Sequence, residues 1–383
     1  MDLDHLTYFR GRVALAAILR ALGVKPGEEV LLQAFTCIAV PEAILSIGAI
    51  PRYVDVTPGS PNMDPNDLRR KLGLRTRAVI VQHTFGLPAD IAQLADIARE
   101  RGVPLIEDCA HTIASRVDGR QVGSFGAAAF YSFEASKPVF IGIGGSATSN
   151  DEALSVALRE DYESYAEPPR LVQLQLEAMR IAHRVAYRPS TYWTVRAIFR
   201  AVVATGLIRG NYNKVAEVNS SEVSADGDEN SSQPSSDFTR RMGSLQAGLL
   251  RKALVSLEEQ SAHRRRVAEQ YRARIIAAGV THLPVSPGVE PVYGRYPLLV
   301  DGRDALLAGA RAAKVELADF YATPVHPLKG GALRQVAYEP GSCPNAEWIS
   351  ERIVSLPTGG QVTAKQIDRA VRYFNRNAVA ATI

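Results

Sequence analysis

Three short stretches carry residue types that could do chemistry together. The first is IEDCAH, residues 106–111, where two acids close an apolar strand. An acid there can cap the next helix, or it can stay ionised and hold a proton on a bound heterocycle. The second is FYSFEASK, residues 130–137, a strand ending in a serine with a lysine five residues later. A lone lysine is most often solvated, but an amine that forms imines must be partly unprotonated, which burial near other cations promotes. Lys137 also precedes a glycine-rich turn, GIGG at 142–145, whose backbone can pass close to a ligand, and Ser132 can donate to a phosphate. The third is RGRVALAAIL, residues 10–19, in which Gly11 opens a helix whose free N–H groups form a natural phosphate site. Each signal is weak alone. Their order is a phosphate-binding helix start, then an acid, then an amine.

The elements that must position these groups alternate. VALAAILRALGV, PEAILSIGA, DPNDLRRKL (with Asp64 as N-cap) and IAQLADIARERG read as helices. EEVLLQ, PRYVDV, RAVIVQH, VPLIED and AAFYSF read as strands. Such alternation predicts a parallel α/β sheet with helices on both faces, and ligands at the carboxyl ends of its strands. That places Gln33 to Cys37, His83, Asp108 to His111, and Ser132 to Lys137 at the ligand edge.

Residues 152–212 form a helical block with no glycine before Gly206, and residues 170–210 hold seven arginines against one glutamate. Most simply this is a solvated or domain-covering face; the sharper reading is attraction to an acidic membrane surface or a nucleotide diphosphate. Residues 219–237 are polar and low in complexity, which predicts a flexible loop. One long helix is expected from Met242 to about Ala277, then a smaller α+β domain built on YPLLV, a helix opening at Asp304, VSL and a last helix near Ala364 to Asn375. The expected division is a large domain over 1–240, carrying the insertion and the loop, and a small one over 241–383.

A chain of 383 residues with 46% hydrophobic and 22% charged residues is long enough for two globular cores. Its net charge of +4 is too balanced for a nucleic-acid binder. Cys37, Cys109 and Cys343 are few, distant and without a C-x-x-C pair, which argues against a disulfide framework or a zinc site and suits a cytoplasmic protein. There is no apolar signal-peptide core at the N-terminus and no long uncharged apolar run.

Longer motifs then carry a resemblance. GAIPRYVDVTPGSPNMDP, HTFGLPADIAQLADIARERGVPLIEDCAHT, GRQVGSFGAAAFYSFEASK, RRMGSLQAGL, HRRRVAEQY, the VHP around His326 and RIVSLPTG are similar to segments of the DegT/StrS family of sugar aminotransferases, over roughly residues 8–148 and 238–380. The resemblance implies a type I fold for enzymes that use pyridoxal 5′-phosphate (PLP), with a mostly parallel seven-stranded sheet, and a homodimer with shared active sites. It makes Lys137 the Schiff-base lysine and Asp108 the partner of the pyridine nitrogen. It assigns Ser132, Gly11 and the backbone of Arg12 and Val13 to the phosphate, and puts His111 where the family has glutamine, near the ring. His83, Arg241 and His326 become candidates for substrate contact. The sequence departs from the family at Arg12 (usually Ser or Thr), at Cys37 (usually an aromatic that stacks on the cofactor) and at Thr239 (usually an asparagine reaching the partner's phosphate).

The expected reaction is transfer of an amino group from an amino acid, glutamate being the favoured donor, to a keto-sugar carried on a nucleotide. The departures keep open a PLP reaction on a non-sugar ketone or an amino acid. A non-catalytic, membrane-associated relative is the reading from another class.

Overall fold

The structure is a computed structural model that describes residues 6–134, 137–186 and 236–378. Seven strands form the central sheet: β1 (Leu6–Tyr8), β2 (Glu29–Gln33), β3 (Ile50–Val54), β4 (Thr76–Gln82), β5 (Leu105–Asp108), β6 (Ala128–Ser132) and β7 (Gly145–Ser149). Their spatial order is β1-β7-β6-β5-β4-β2-β3. The five strands from β6 to β3 run parallel, and β7 runs antiparallel to both β6 and β1. Strands β2, β5 and β6 are buried along their whole length, as helices on both faces require. The expected alternation is therefore present. The short strand β1 and the turn of the chain back through β7 carried no pattern strong enough to be read beforehand.

Helix α1 (Gly11–Ala21) packs almost entirely into the core, burying Val13 through Leu19. The next helices are α2 (Ala39–Leu45), α3 (Pro65–Lys71) and α4 (Ile91–Glu100). Asp64 caps α3 by accepting the Asn66 N–H at 2.9 Å, with Pro65 preset for the first turn. Helices α5 (Glu152–Glu163) and α6 (Arg170–Ala186) are the described part of the arginine-rich block. Helix α6 presents Leu171, Leu174, Met179 and Ile181 outward, while Arg180 turns inward and pairs with Glu177. Its described outer face therefore carries these apolar side chains beside the exposed Arg170 and Gln175. Residues 187–218, and the polar stretch expected to be a flexible loop as far as 235, lie outside the described residues.

The long helix expected from Met242 onward is two helices, α7 (Ser244–Val255) and α8 (Leu257–Arg274). They part at Ser256, whose hydroxyl donates to Ala253 O and accepts from Gln260 Nε2, offering the backbone an alternative to a continued helix. Helix α7 stays with the large sheet: Met242 and Leu250 pack with Cys109, Tyr131 and Phe133. The smaller sheet follows, with β8 (Val280–His282), β9 (Arg295–Val300) and β10 (Ile353–Pro357) in the order β8-β9-β10, all antiparallel.

Asp55, at the end of β3, locks the two regions together. Its carboxylate accepts the N–H groups of Asn345 (3.0 Å) and Ala346 (2.9 Å), so it caps the short helix Pro344–Ser350 from across the molecule. It also accepts the N–H of Val56, and Asn345 returns a bond to Val56 O at 3.0 Å. Replacing Asp55 by alanine orphans these buried donors, at a cost of about 3 kcal/mol. The expected result is a clear fall in the urea midpoint of Asp55→Ala, read by circular dichroism; an unchanged midpoint refutes the role.

Candidate functional site

The site grows from the end of β5. Glu107 is fully buried and takes four hydrogen bonds: from His83 Nε2 (3.1 Å) and from the N–H groups of Gly123, Phe125 and Gly126 (2.6–2.8 Å). Burial alone raises its carboxyl pKa, but these bonds outweigh burial and hold it below the ordinary value. His83 has no exposed surface, and its Nδ1 accepts the Ala89 N–H. His83, expected among the substrate contacts, is therefore an interior strut for Glu107; with both ring nitrogens engaged, it has no face to offer a ligand.

Asp108 points the other way. It is 3% exposed, and one carboxylate oxygen accepts the Ala110 N–H at 2.9 Å. No ion pair reaches it among the described residues. Burial raises its pKa to about 6, partly opposed by the Ala110 N–H and by the charges of Lys137 and His83. Lys137 is half-buried, and its charge also reaches Cys37 and His111. Asp108, Cys37 and His111 thus share one electrostatic neighbourhood around this amine.

His111 is held in a defined tautomer. Its Nδ1 accepts the Phe85 N–H at 3.0 Å, and burial followed by the Lys137 charge pushes its pKa well down, so the ring is neutral. The proton then sits on Nε2, which lies 3.1 Å from the Tyr321 hydroxyl. The imidazole is stacked between Phe85 and Tyr321, with centroids 6.1 and 5.9 Å away. Gly86 makes this possible: at φ +81° it adopts the left-handed conformation, and a side chain there would sit 3.0 Å from His111 O and 2.9 Å from Gly294 N.

The N-terminus of α1 abuts β6. A Cβ on Gly11 would sit 3.0 Å from the Ser132 Cβ, so glycine lets helix and serine meet. No side chain caps the helix, and its first turn has no acid. The N–H groups of Gly11 and Arg12 have no protein partner among the described residues, whereas that of Val13 is spent on Arg10 O at 3.2 Å. Of the two backbone donors expected at a phosphate, Arg12 has a free N–H and Val13 does not. The Arg12 side chain turns to Glu42, and Arg10 pairs with Glu134 at 3.1 Å.

Cys37 and His326 are brought together although they are distant in sequence. They face each other in a short parallel pair, Thr36–Cys37 with Val325–His326. Burial lowers the His326 pKa to about 4, and its ring packs on Phe320 and Tyr321. Thr239 is exposed, beside Arg241, which pairs with Glu167 at 3.6 Å. The buried Arg241 Nε has no partner. Tyr321, Phe85 and Glu42 were absent from the sequence reading. Phe85 and Tyr321 each had a nearby signal, Phe85 two residues after His83 and Tyr321 five residues before His326.

Family comparison decides what this arrangement is. The model of the DegT/DnrJ/EryC1/StrS aminotransferase family matches residues 5–165 and 212–375, most of the chain. The chain belongs to the DegT/DnrJ/EryC1/StrS aminotransferase family. As a member it is an aminotransferase. It is 28% identical over 368 residues to the UDP-N-acetyl-3-dehydro-α-D-glucosamine 3-aminotransferase of Acidithiobacillus ferrooxidans, covering 96% of this chain and 82% of the relative. It is 41% identical over 152 residues to the L-glutamine:scyllo-inosose aminotransferase of Streptomyces griseus, or 40% of this chain and 35% of that protein. Its fold is similar to that of Spr1654 from Streptococcus pneumoniae, solved in a PLP form, with TM-score 0.70, 18% identity and coverage of 97% and 86% of the two chains. The buried Asp108 carboxyl bears directly on stability. A carboxyl whose pKa is near 6 when folded and 3.8 when unfolded stabilises the fold at acid pH and loses that contribution as pH rises through 6. At pH 7 this costs the cofactor-free protein on the order of 3 kcal/mol. Asp108→Asn keeps the bond from Ala110 and removes the charge. The variant is therefore expected to resist urea better than wild type at pH 7, with the gain fading as pH falls from 6 toward 4. Equal midpoints at both pH values overturn this account.

Proposed function

We propose that this aminotransferase uses PLP to carry an amino group from an amino acid, glutamate being the favoured donor, to a keto-sugar borne on a nucleotide. The observation that carries the proposal is the joint placement of Lys137 and Asp108 beside an uncapped helix N-terminus. The residues fit the cofactor. Asp108 is a buried carboxylate with no ion pair among the described residues, which suits a protonated ring nitrogen. The free N–H groups of Gly11 and Arg12, next to Ser132, suit a phosphate. When bound, the cofactor supplies an electron sink for the bonds at the donor's α-carbon.

The chain's own groups supply the rest. Lys137 would hold the cofactor through its amine, and the same nitrogen would carry the proton during transfer. Asp108 keeps a proton on the ring nitrogen. His111, neutral and with its proton on Nε2, donates to Tyr321 and fixes that hydroxyl at the site edge. His326, on the strand pair with Cys37, and Arg241 remain proposed substrate contacts, and Cys37 and Thr239 lie where ring and phosphate contacts are proposed. The relative from Acidithiobacillus ferrooxidans supports the nucleotide-sugar acceptor. The Streptomyces griseus relative, whose substrate is named without a nucleotide, favours a free cyclic ketone as the second reading.

We propose that the enzyme works as a homodimer in the cytoplasm, with the exposed Thr239 near the partner's site. Among the described residues no helix is long and apolar enough to cross a membrane. The two-domain division at about residue 240 and a membrane contact through 170–210 are proposals of the same standing.

Two measurements test this reading. Purified protein given PLP is expected to show a visible absorption band that fades when glutamate is added; no band at all refutes cofactor binding. Lys137→Ala is expected to lose transfer by a factor of at least about 10⁴ in kcat, the scale of removing an essential proton carrier. Full transfer by that variant removes Lys137 from the mechanism.

A further inference from the structure

Arg264, in the HRRRVAEQY segment of α8, is 9% exposed, and no acid pairs with it among the described residues. Its guanidinium donates only to neutral oxygens: from one terminal nitrogen to Gly294 O and Thr358 Oγ1, both at 3.0 Å, and from the other to Pro138 O at 3.3 Å. Burial, with the nearby charge of Arg295, lowers its pKa to about 10. A buried cation without an acid is costly, and hydrophobic residues of similar volume would pack as well. The placement of its three acceptors gives a reason to keep it.

Pro138 follows Lys137 directly, so the Pro138 bond fixes the backbone that carries the amine. The Gly294 bond leads to His111. Gly294 donates its N–H to Phe85 O at 2.7 Å, and the Phe85 N–H in turn donates to His111 Nδ1. Phe85 itself sits at φ +60°, a conformation unusual for a side-chain-bearing residue, and these two bonds hold it there. Thr358 closes the array by donating to Tyr293 O at 2.6 Å. One guanidinium thus holds the loop of Lys137, and through one peptide unit the ring of His111. Its planar fork fixes donors on two separate nitrogens, whereas an ammonium carries its three donors on one rotating nitrogen.

We propose that Arg264 is a positioning residue that sets Lys137 and His111 relative to each other. The inference rests on the assignment of Lys137 made above. It concerns geometry and requires no contact between Arg264 and substrate or cofactor.

The test compares wild type with Arg264→Met and Arg264→Lys. Three quantities are read: the thermal midpoint, the rate at which PLP becomes fixed to Lys137 under borohydride (by peptide mass), and kcat and KM for the amino donor. Arg264→Met is expected to fold, to label Lys137 more slowly, and to lose about 100-fold in kcat with little change in KM, the scale of a 1 Å misplacement. Arg264→Lys is expected to recover part of both rates. A folded Arg264→Met with labelling and kcat within about twofold of wild type overturns the proposal, whatever its thermal midpoint. If Arg264→Met does not fold, Thr358→Val decides. That variant removes one of the guanidinium's acceptors, and wild-type labelling and kcat in it also overturn the proposal. Wild-type protein that never labels at Lys137 refutes the functional reading itself, a result distinct from equal labelling in wild type and variant.

Discussion

The site depends first on a carboxylate that does no chemistry. Glu107 gathers a histidine and three backbone N–H groups inside the protein, and so ties the end of β5 to the loop that returns into β6. Its neighbour Asp108 must face the opposite side of the strand, because successive side chains alternate. Satisfying one acid internally leaves the next free to stay short of partners. A similar division of labour links β3 to α3, where Asp67 accepts the N–H of Asp55 while Asp55 caps a distant helix.

Sheet and helix periods are local, and so most of the large domain was legible in the sequence. The Asp64 cap and the alternation from β2 to β6 follow from residues close together in the chain. The same holds for the spacing that puts Asp108, Lys137, Ser132 and Gly11 on one edge. For His83 the sequence left two readings, structural or substrate-facing, because a strand-end residue can face the ligand edge or the interior; its bonds to Glu107 and Ala89 favour the first. Ser256 breaks a helix that its neighbours' propensities would continue, through side-chain bonds that periodicity does not record. Tyr321 and Arg264 reach the site from more than 100 residues beyond Lys137, and although Arg264 lies in the HRRRVAEQY motif, no local pattern says where either side chain ends up.

Two of the three expected departures from the family, Arg12 and Cys37, lie in one corner. Arg12 engages Glu42, the charges of Lys137 and Arg12 both reach Cys37, and Cys37 pairs with the strand of His326. Arg12 and Cys37 therefore change one corner of the site together. At the opposite corner the neutral His111 works with Tyr321, a residue 210 positions further along the chain.

The cap supplied by Asp55 has a bearing on how the chain is made. Its partners, Asn345 and Ala346, lie 290 and 291 residues downstream. A ribosome delivers the strand long before it delivers the helix that the strand must cap. Throughout most of synthesis the Asp55 carboxylate must remain solvated at an unfinished edge. The large sheet can assemble early, but this edge closes only when the last tenth of the polypeptide emerges. A truncated chain therefore lacks the latch even where its sheet is complete, and quality control can read that edge as a mark of incompleteness.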